Sequence, residues 1–123
     1  MKKPLFLLLA LTASTANAQT EQLDAALAQA KQRHAPVLVD FHAPWCYSCY
    51  YMKKNVLTGP EWTAVERKTI VVEMDADAPE GAHWRDQWKI NALPSYVVLN
   101  EQGQELGRIT AEQKRGDFYR MLA

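Results

Sequence analysis

A short apolar run at residues 37–41 constrains the fold more than any other segment, because it leads into the only two cysteines of the chain, Cys46 and Cys49. The run is rich in β-branched residues and nearly continuous in hydrophobicity. That pattern is typical of a strand buried on both faces in the middle of a parallel or mixed sheet. Residues 46 to about 57 then have a helical pattern, which Gly59 and Pro60 interrupt. The first cysteine is therefore expected where a central strand gives way to a helix.

The remaining elements follow from periodicity and from turn residues. Residues 20–33 repeat apolar side chains at i, i+3, i+4 and i+7, which predicts an amphipathic helix with Thr20 as its N-cap and an end before Pro36. The other expected elements are helices at 60–67 and 81–89, a buried strand at 69–74, hairpin strands at 95–99 and 105–109, and a C-terminal helix that starts at a capping-box sequence (residues 110–113) or nearer Gly116. This order predicts a small α/β sandwich.

The first 18 residues have the pattern of a secretory signal peptide. Lys2 and Lys3 precede an apolar stretch at residues 5–11, and residues 16–18 form a small-x-small cleavage site. A membrane anchor is the alternative, but the stretch falls well short of the roughly 20 residues that span a bilayer. We therefore expect secretion across the inner membrane, removal of residues 1–18, and one small domain at residues 19–123.

Charge and cysteine content narrow the functional classes. The chain has 14 basic and 14 acidic residues, and 12 of the basic ones lie outside the expected signal peptide. That balance provides no basic footprint for nucleic acid. Exported proteins ordinarily use disulfides as structural cross-links, but a disulfide between Cys46 and Cys49 closes almost no loop. The spacing therefore favours redox chemistry.

Metal binding is the alternative use of the two cysteines. Thiolates at this spacing bind soft ions such as Cu(I). A closed zinc site takes four ligands, whereas the chain offers two cysteines and three scattered histidines. Covalent haem attachment needs a histidine directly after the second cysteine, and residue 50 is Tyr. Redox exchange is the preferred interpretation, and copper binding is the weaker one.

Residues 37–49 combine the apolar strand, an acid, a tryptophan and Cys-x-x-Cys, and they resemble the matching segment of the thioredoxin superfamily. Residues 92–96, with Leu93 and Pro94, resemble its cis-proline loop. Within the superfamily the chain is most similar to the C-terminal periplasmic domains of the DsbD disulfide reductases, over residues 20–123. The resemblance implies a thioredoxin-like α/β fold with a central mixed four-stranded sheet flanked by helices. It also implies thiol:disulfide exchange with no cofactor other than the redox-active disulfide.

Three residues are expected to carry the chemistry. The resemblance implies that Cys46 attacks a disulfide and that Cys49 resolves the mixed disulfide. A buried, inert cysteine pair is the alternative. Asp40 lies within the apolar strand, where burial of an unpaired carboxylate is costly and raises its pKa. In the family the matching acid helps to move the proton of the second cysteine. An Asp at a strand end that caps a turn is the alternative interpretation.

Three more residues are expected to contact substrate. The resemblance implies that a cis peptide bond at Pro94 presents the backbone of Leu93 beside Cys46, where it can pair with an extended substrate strand. An ordinary strand-opening proline is the alternative. Trp45 is expected to shield the disulfide and to form part of the docking surface, with simple packing as the alternative.

The residues around the cysteines are expected to modulate the site. His42 stands four residues before the first cysteine, where the family usually has Trp or Tyr, and it tunes the thiolate if it reaches it. A histidine that is simply packed or solvated near the end of the strand is the alternative. Tyr47 and Ser48 form the dipeptide between the cysteines, which tunes the redox potential and differs from the family's common dipeptides. Other side chains are assigned structural roles, with Lys53 and Lys54 on a solvated helix face and Trp62, Trp84 and Trp88 in the core.

These features predict a periplasmic thiol:disulfide oxidoreductase that reduces disulfides of extracytoplasmic proteins. A histidine directly before the second cysteine helps to make strong oxidants by stabilising the reduced form, and Ser48 has no such charge. An oxidase or isomerase of the same fold is the alternative. Expected partners are protein thiols and disulfides and a membrane-bound electron donor or acceptor. The domain is expected to be a monomer that binds no nucleic acid and does not insert into the membrane after cleavage.

Overall fold

The computed structural model describes residue 2 and residues 19–123, so the predicted signal peptide lies, apart from Lys2, outside the described residues. The helices of the described part are α1 (Glu21–Arg33), α2 (Tyr47–Asn55), α3 (Gly59–Lys68), α4 (Pro79–Gln87) and α5 (Arg115–Leu122). The strands are β1 (Val37–His42), β2 (Ile70–Asp75), β3 (Ser95–Leu99) and β4 (Glu105–Thr110). Within residues 19–123, no helix combines the length and the apolar character needed to cross a bilayer.

The four strands form one mixed sheet in the order β2-β1-β3-β4. Strand β1 runs parallel to β2 and antiparallel to β3, and β3 pairs antiparallel with β4. The predicted mixed sheet and the inner position of β1 are confirmed, and five of the six β1 residues are buried. The prediction that β2 is a buried strand is wrong, because β2 lies at the edge of the sheet and Glu73 on it is exposed.

Helices cover both faces of the sheet, and side chains of β1 alternate between them. Val37, Val39 and Phe41 pack with α1 and with two tryptophans. Trp84 lies within α4 and Trp88 is its C-cap residue. Leu38 packs on the other face, in a cluster to which α2, α3 and α5 contribute. Asp40 shares this second face with Leu38, because the two residues lie two positions apart on one strand. The alternation therefore aims the acid of β1 toward α2.

The helices begin within two residues of the expected starts, and of the two starts expected for α5 the one nearer Gly116 is confirmed. Helix α2 begins at Tyr47, with Cys46 as its N-cap. Helix α4 begins at Pro79, two residues before the predicted start, since proline suits the first helical position. The capping-box sequence at residues 110–113 starts no helix: Gln113 Nε2 donates to the Thr110 carbonyl at 3.0 Å, and α5 begins at Arg115.

Helix α4 packs closely against the end of β2 at a glycine. A Cβ atom on Gly81 would lie 1.7 Å from the carbonyl oxygen of Asp75, so any other residue would push the helix away. The preceding residue, Glu80, is buried and accepts a hydrogen bond from the backbone N–H of Leu23 near the start of α1. Glycine here sets the distance between a helix and the edge strand of the sheet.

Candidate active site

The two cysteines form a disulfide at the start of α2. Their Cα atoms lie 5.3 Å apart, and Cys46 is the N-cap residue of the helix. The backbone N–H of Cys49 donates to Cys46 Sγ at 3.1 Å. An N–H donor and the positive end of the helix dipole both favour negative charge on this sulfur. Local structure therefore prepares Cys46 to carry charge as a thiolate.

Exposure differs between the two cysteines in this disulfide form. Cys46 is 4% exposed, whereas Cys49 is half-buried. Cys49 lines a cavity of about 240 Å³ between α2 and the sheet, and Cys46 is not among its lining residues. The cavity thus gives solvent-sized molecules a route to the second sulfur.

Asp40 lies on the wall of the same cavity. Its residue exposure is 7%, and its pKa is raised from 3.8 to about 7. Burial is the largest cause, the charge of Glu73 raises the pKa further, and the charge of Lys53 lowers it. A carboxyl group whose pKa lies near neutrality can both accept and return a proton at physiological pH. The predicted raised pKa of Asp40 agrees with the structure, and the acid faces the same cavity as Cys49.

Sequence interpretation missed two charged residues of this cavity. Lys53, for which a solvated helix face is predicted, lines it together with Glu73. His42 also lines this cavity, but Cys46, whose thiolate it is predicted to tune, does not, so that role stays a prediction. A signal for Lys53 was available, because it follows Cys49 by four residues and so lies on the same side of α2. Glu73 gave no local signal, because its place depends on the register of β2 against β1.

Trp45 directly precedes Cys46 in the chain and is 68% exposed. Its Nε1–H donates to Asp77 Oδ2 at 2.6 Å, which holds the indole against the loop after β2. Trp45 and Leu93 line a shallow groove of about 560 Å³, together with Ile90 and Asn91. An exposed, oriented aromatic ring beside a reactive sulfur is suited to contact with another protein.

The loop before β3 borders this groove. The Leu93–Pro94 peptide bond is cis. Pro94 itself is fully buried and Leu93 is half-buried, so Leu93 is the residue of the pair that lines the groove. The loop is held by two hydrogen bonds, from Ser95 Oγ to the Ala92 carbonyl at 2.6 Å and from the Ala111 N–H to the Pro94 carbonyl at 2.8 Å.

The aromatic residues of α2 lie at the surface. Tyr47 is 85% exposed and Tyr50 is 59% exposed, whereas Ser48 is half-buried. Trp62, Trp84 and Trp88 are half-buried at the borders of the two apolar clusters, so their assignment to the core is only partly right. Among the described residues, no three side chains of His, Cys, Asp or Glu are grouped so that they could hold a metal ion.

Comparison with known proteins identifies relatives across this domain. Residues 23–123 match the model of the thioredoxin-like domain family. The chain is 31% identical to thiol:disulfide interchange protein DsbD 2 of Pseudomonas aeruginosa over 104 residues, which cover 81% of this chain and 18% of that protein. It is 32% identical to DsbD of Cronobacter sakazakii over 102 residues, which cover 80% of this chain and 17% of that protein. The chain thus spans less than a fifth of the length of these relatives.

Solved structures give the same result. The oxidised C-terminal domain of DsbD from Neisseria meningitidis is 26% identical, with a TM-score of 0.68 over 84% of this chain and 92% of that domain. A thioredoxin from Thermus thermophilus is 28% identical, with a TM-score of 0.73 over 80% of this chain and 79% of that one. Both comparisons confirm the mixed-sheet fold. Together with the Cys46–Cys49 disulfide they support thiol:disulfide oxidoreductase activity.

Proposed function

The chain belongs to the thioredoxin-like domain family, and from this premise we propose that it is a periplasmic thiol:disulfide oxidoreductase that reduces disulfides of other proteins. One observation carries the proposal: the disulfide caps the start of α2 while its second sulfur and a buried acid, Asp40, share one cavity. A structural cross-link needs neither a stabilised thiolate nor a proton acceptor. Exchange chemistry needs both.

The first step is attack by the Cys46 thiolate on one sulfur of a substrate disulfide. A bond forms between Cys46 Sγ and that sulfur, the substrate S–S bond breaks, and the second substrate sulfur leaves as a thiolate. The N–H of Cys49 and the N-terminus of α2 stabilise the charge of Cys46 before the attack. Cys46 is therefore the nucleophile of the reducing direction.

The second step resolves the mixed disulfide. Asp40 takes the proton of the Cys49 thiol, and the Cys49 thiolate attacks Cys46 Sγ. The Cys46–Cys49 disulfide forms, the bond to the substrate breaks, and the substrate leaves with both sulfurs reduced. A pKa of about 7 lets Asp40 act as a base at neutral pH and pass the proton on to water through the cavity.

The groove between Trp45 and Leu93 is the proposed seat of the substrate chain. It borders the loop that precedes β3, where an extended segment can lie along the backbone of Leu93. Pro94 is buried, so it shapes this loop from beneath, and contact falls to Leu93. Trp45, which directly precedes Cys46 in the chain and is exposed, would contact the same segment.

The direction of electron flow is the finer part of the proposal. Ser48 precedes Cys49 and cannot stabilise a thiolate by charge, which favours a reductant over a strong oxidant. Residues 1–18 have the pattern of a signal peptide and support export to the periplasm. The likeness to DsbD supports protein disulfides as substrates and a membrane-bound protein as electron donor. We propose that the domain works as a monomer.

The reduction potential of the pair tests this direction. The protein is equilibrated in glutathione or dithiothreitol buffers of known potential, and tryptophan fluorescence follows the transition, with Cys49→Ser as the control that cannot form the disulfide. A value of about −270 to −220 mV is expected, as in thioredoxin and the glutaredoxins. A value near about −120 mV would mark an oxidant and overturn the reducing direction. Absence of any reversible transition would overturn the exchange chemistry itself.

A further inference from the structure

The cavity beside the disulfide contains two charges that the proposed mechanism does not use. Lys53 and Glu73, of opposite sign, line it together with Asp40 and Cys49. We propose that Lys53 and Glu73 are positioning residues that set, in opposite directions, the pH range in which Asp40 takes the proton of Cys49. This inference rests on the proposed function, because it concerns the proton step of that reaction.

The register of β2 against β1 places Glu73 next to Asp40. In the parallel pair of β1 and β2, Asp40 lies directly beside Glu73. Neighbours in register project their side chains from the same face of a sheet, so both carboxylates face α2. Two like charges side by side destabilise a sheet. Glu73 is exposed at the edge strand, whereas Asp40 is buried, and the repulsion raises the pKa of Asp40.

Helix periodicity places Lys53 on the same side of α2 as Cys49. It follows Cys49 by four residues on α2, so the two side chains lie on one side of the helix. That side faces the sheet and the cavity. The next residue, Lys54, is also exposed but is not among the residues that line the cavity. The chain therefore offers a matched lysine of the same helix for comparison.

The two charges act on the acid from opposite sides. The negative charge of Glu73 raises the pKa of Asp40, the positive charge of Lys53 lowers it, and burial exceeds both. The remaining titratable groups that face Asp40 are His42 from its own strand, Cys49 and Tyr50 from α2, and Tyr96 from β3. Burial raises the pKa of Tyr96, so this phenol is neutral whenever Asp40 titrates. Lys53 and Glu73 are therefore the two residues of opposite charge that act on the pKa of this acid.

The test measures the pH profile of the second step. Reduced protein is mixed with insulin as the disulfide substrate, and the rate of Cys46–Cys49 closure is followed by tryptophan fluorescence as a function of pH for Glu73→Gln, Lys53→Met and the control Lys54→Met. Glu73→Gln is expected to move the midpoint to lower pH and Lys53→Met to higher pH, each by about 0.2–0.7 units for partly screened charges. Lys54→Met leaves it in place. High salt reduces both shifts.

A direct readout accompanies the kinetics. The carboxyl infrared band of protonated Asp40, assigned by its loss in Asp40→Asn, is titrated in the same variants and should move with the kinetic midpoint. A purely structural role for Lys53 or Glu73 would not shift this titration in opposite directions.

The outcomes separate the inference from the proposed function. If Asp40→Asn flattens the pH profile but Glu73→Gln and Lys53→Met leave the midpoint unmoved, or move it in the same direction, the inference is wrong and the role of Asp40 stands. If Asp40→Asn leaves rate and profile unchanged, the proposed proton step fails first, and the inference fails with it. Opposite shifts in the two variants support both.

Discussion

Two buried carboxylates in this domain have opposite surroundings. Glu80 is 6% exposed and Asp40 is 7% exposed. Glu80 accepts hydrogen bonds from the backbone N–H groups of Gln22 (2.8 Å) and Leu23 (2.9 Å) and from the indole of Trp84 (3.3 Å). By contrast, burial and two nearby charges govern the pKa of Asp40, with no hydrogen bond among the causes. Equal burial therefore accompanies different chemistry.

The difference shows how a fold separates stability from reactivity. The first N–H groups of a helix have no partner within the helix, and the carboxyl oxygens of Glu80 accept from two of those of α1. Thr20 occupies the N-cap position of α1, but its hydroxyl donates to Asp24 at 2.9 Å. A satisfied carboxylate stabilises the fold, whereas one held without donors near its ionisation midpoint remains available to exchange a proton.

The largest expected effect is a loss of activity on substitution of Cys49, which shares its cavity with Asp40 and not with Glu80. Cys49→Ser removes the thiol whose proton Asp40 is proposed to accept. The mixed disulfide then cannot be resolved, and multiple turnover of insulin reduction should cease. Mass spectrometry should then detect a covalent adduct at Cys46. The control is Glu80→Gln, which should retain its rate because Glu80 touches no reacting atom. Loss of turnover in Glu80→Gln with the fold intact would break the comparison.

Asp40→Asn is expected to stabilise the protein at alkaline pH. The pKa of Asp40 is raised from 3.8 to about 7 in the folded state. The native protein therefore binds this proton more tightly, and stability present below pH 4 is lost as the pH rises to about 7. The shift corresponds to roughly 4 kcal/mol. Urea unfolding should show the variant more stable than the natural protein by up to this amount at pH 8 and similar to it at pH 4. Equal stability at both pH values would contradict the raised pKa.

Glu80→Ala should do the reverse, destabilising the fold without touching the chemistry. It leaves two N–H donors at the start of α1 without their acceptor, and the free energy of unfolding should fall by about 2–4 kcal/mol. The matched control is Glu66→Ala on an exposed position of α3, with an expected change within about 0.5 kcal/mol. The reduction potential should be unchanged. A shifted potential would show that the two regions are coupled.

The smallest expected effect concerns the hydrogen bond between Trp45, next to Cys46, and Asp77, in the loop before the helix that carries Glu80. Trp45 Nε1 donates to Asp77, which lies two residues before α4 begins at Pro79. Removal of this exposed hydrogen bond by Trp45→Phe should cost about 0.5–1 kcal/mol of stability. Asp77→Ala removes the same bond, so the double variant should lose less than the sum of the two single losses. Full additivity would show that the bond contributes nothing.

Local pattern was sufficient for most of the fold. The apolar run at residues 37–41 predicted the inner strand, and β3 has the bounds that its sequence predicted. Side-chain periodicity and turn residues act within a few positions, so they can be read without the rest of the chain. The starts of helices were predicted less accurately, because they depend on single capping residues and on tertiary contacts at the helix end. Helix α4, for example, begins at Pro79 and not at residue 81.

The features of the site also fall into those that local sequence predicts and those that depend on tertiary structure. The Cys-x-x-Cys pair and Asp40 were predictable, because a helix N-terminus and an acid within an apolar strand are local signals. Their common cavity was a matter of tertiary structure, as were Lys53 and Glu73 on its wall.

The sequence by itself determined which segments become strands and helices and which two sulfurs are one helical turn apart. Tertiary structure alone decided what surrounds each of the two buried acids. Glu80 meets backbone N–H groups 57 and 58 residues away, and Asp40 meets Glu73 across a parallel strand pair. Burial, register and distant donors set the free energy of a charge, and none of these is a property of neighbours in the chain.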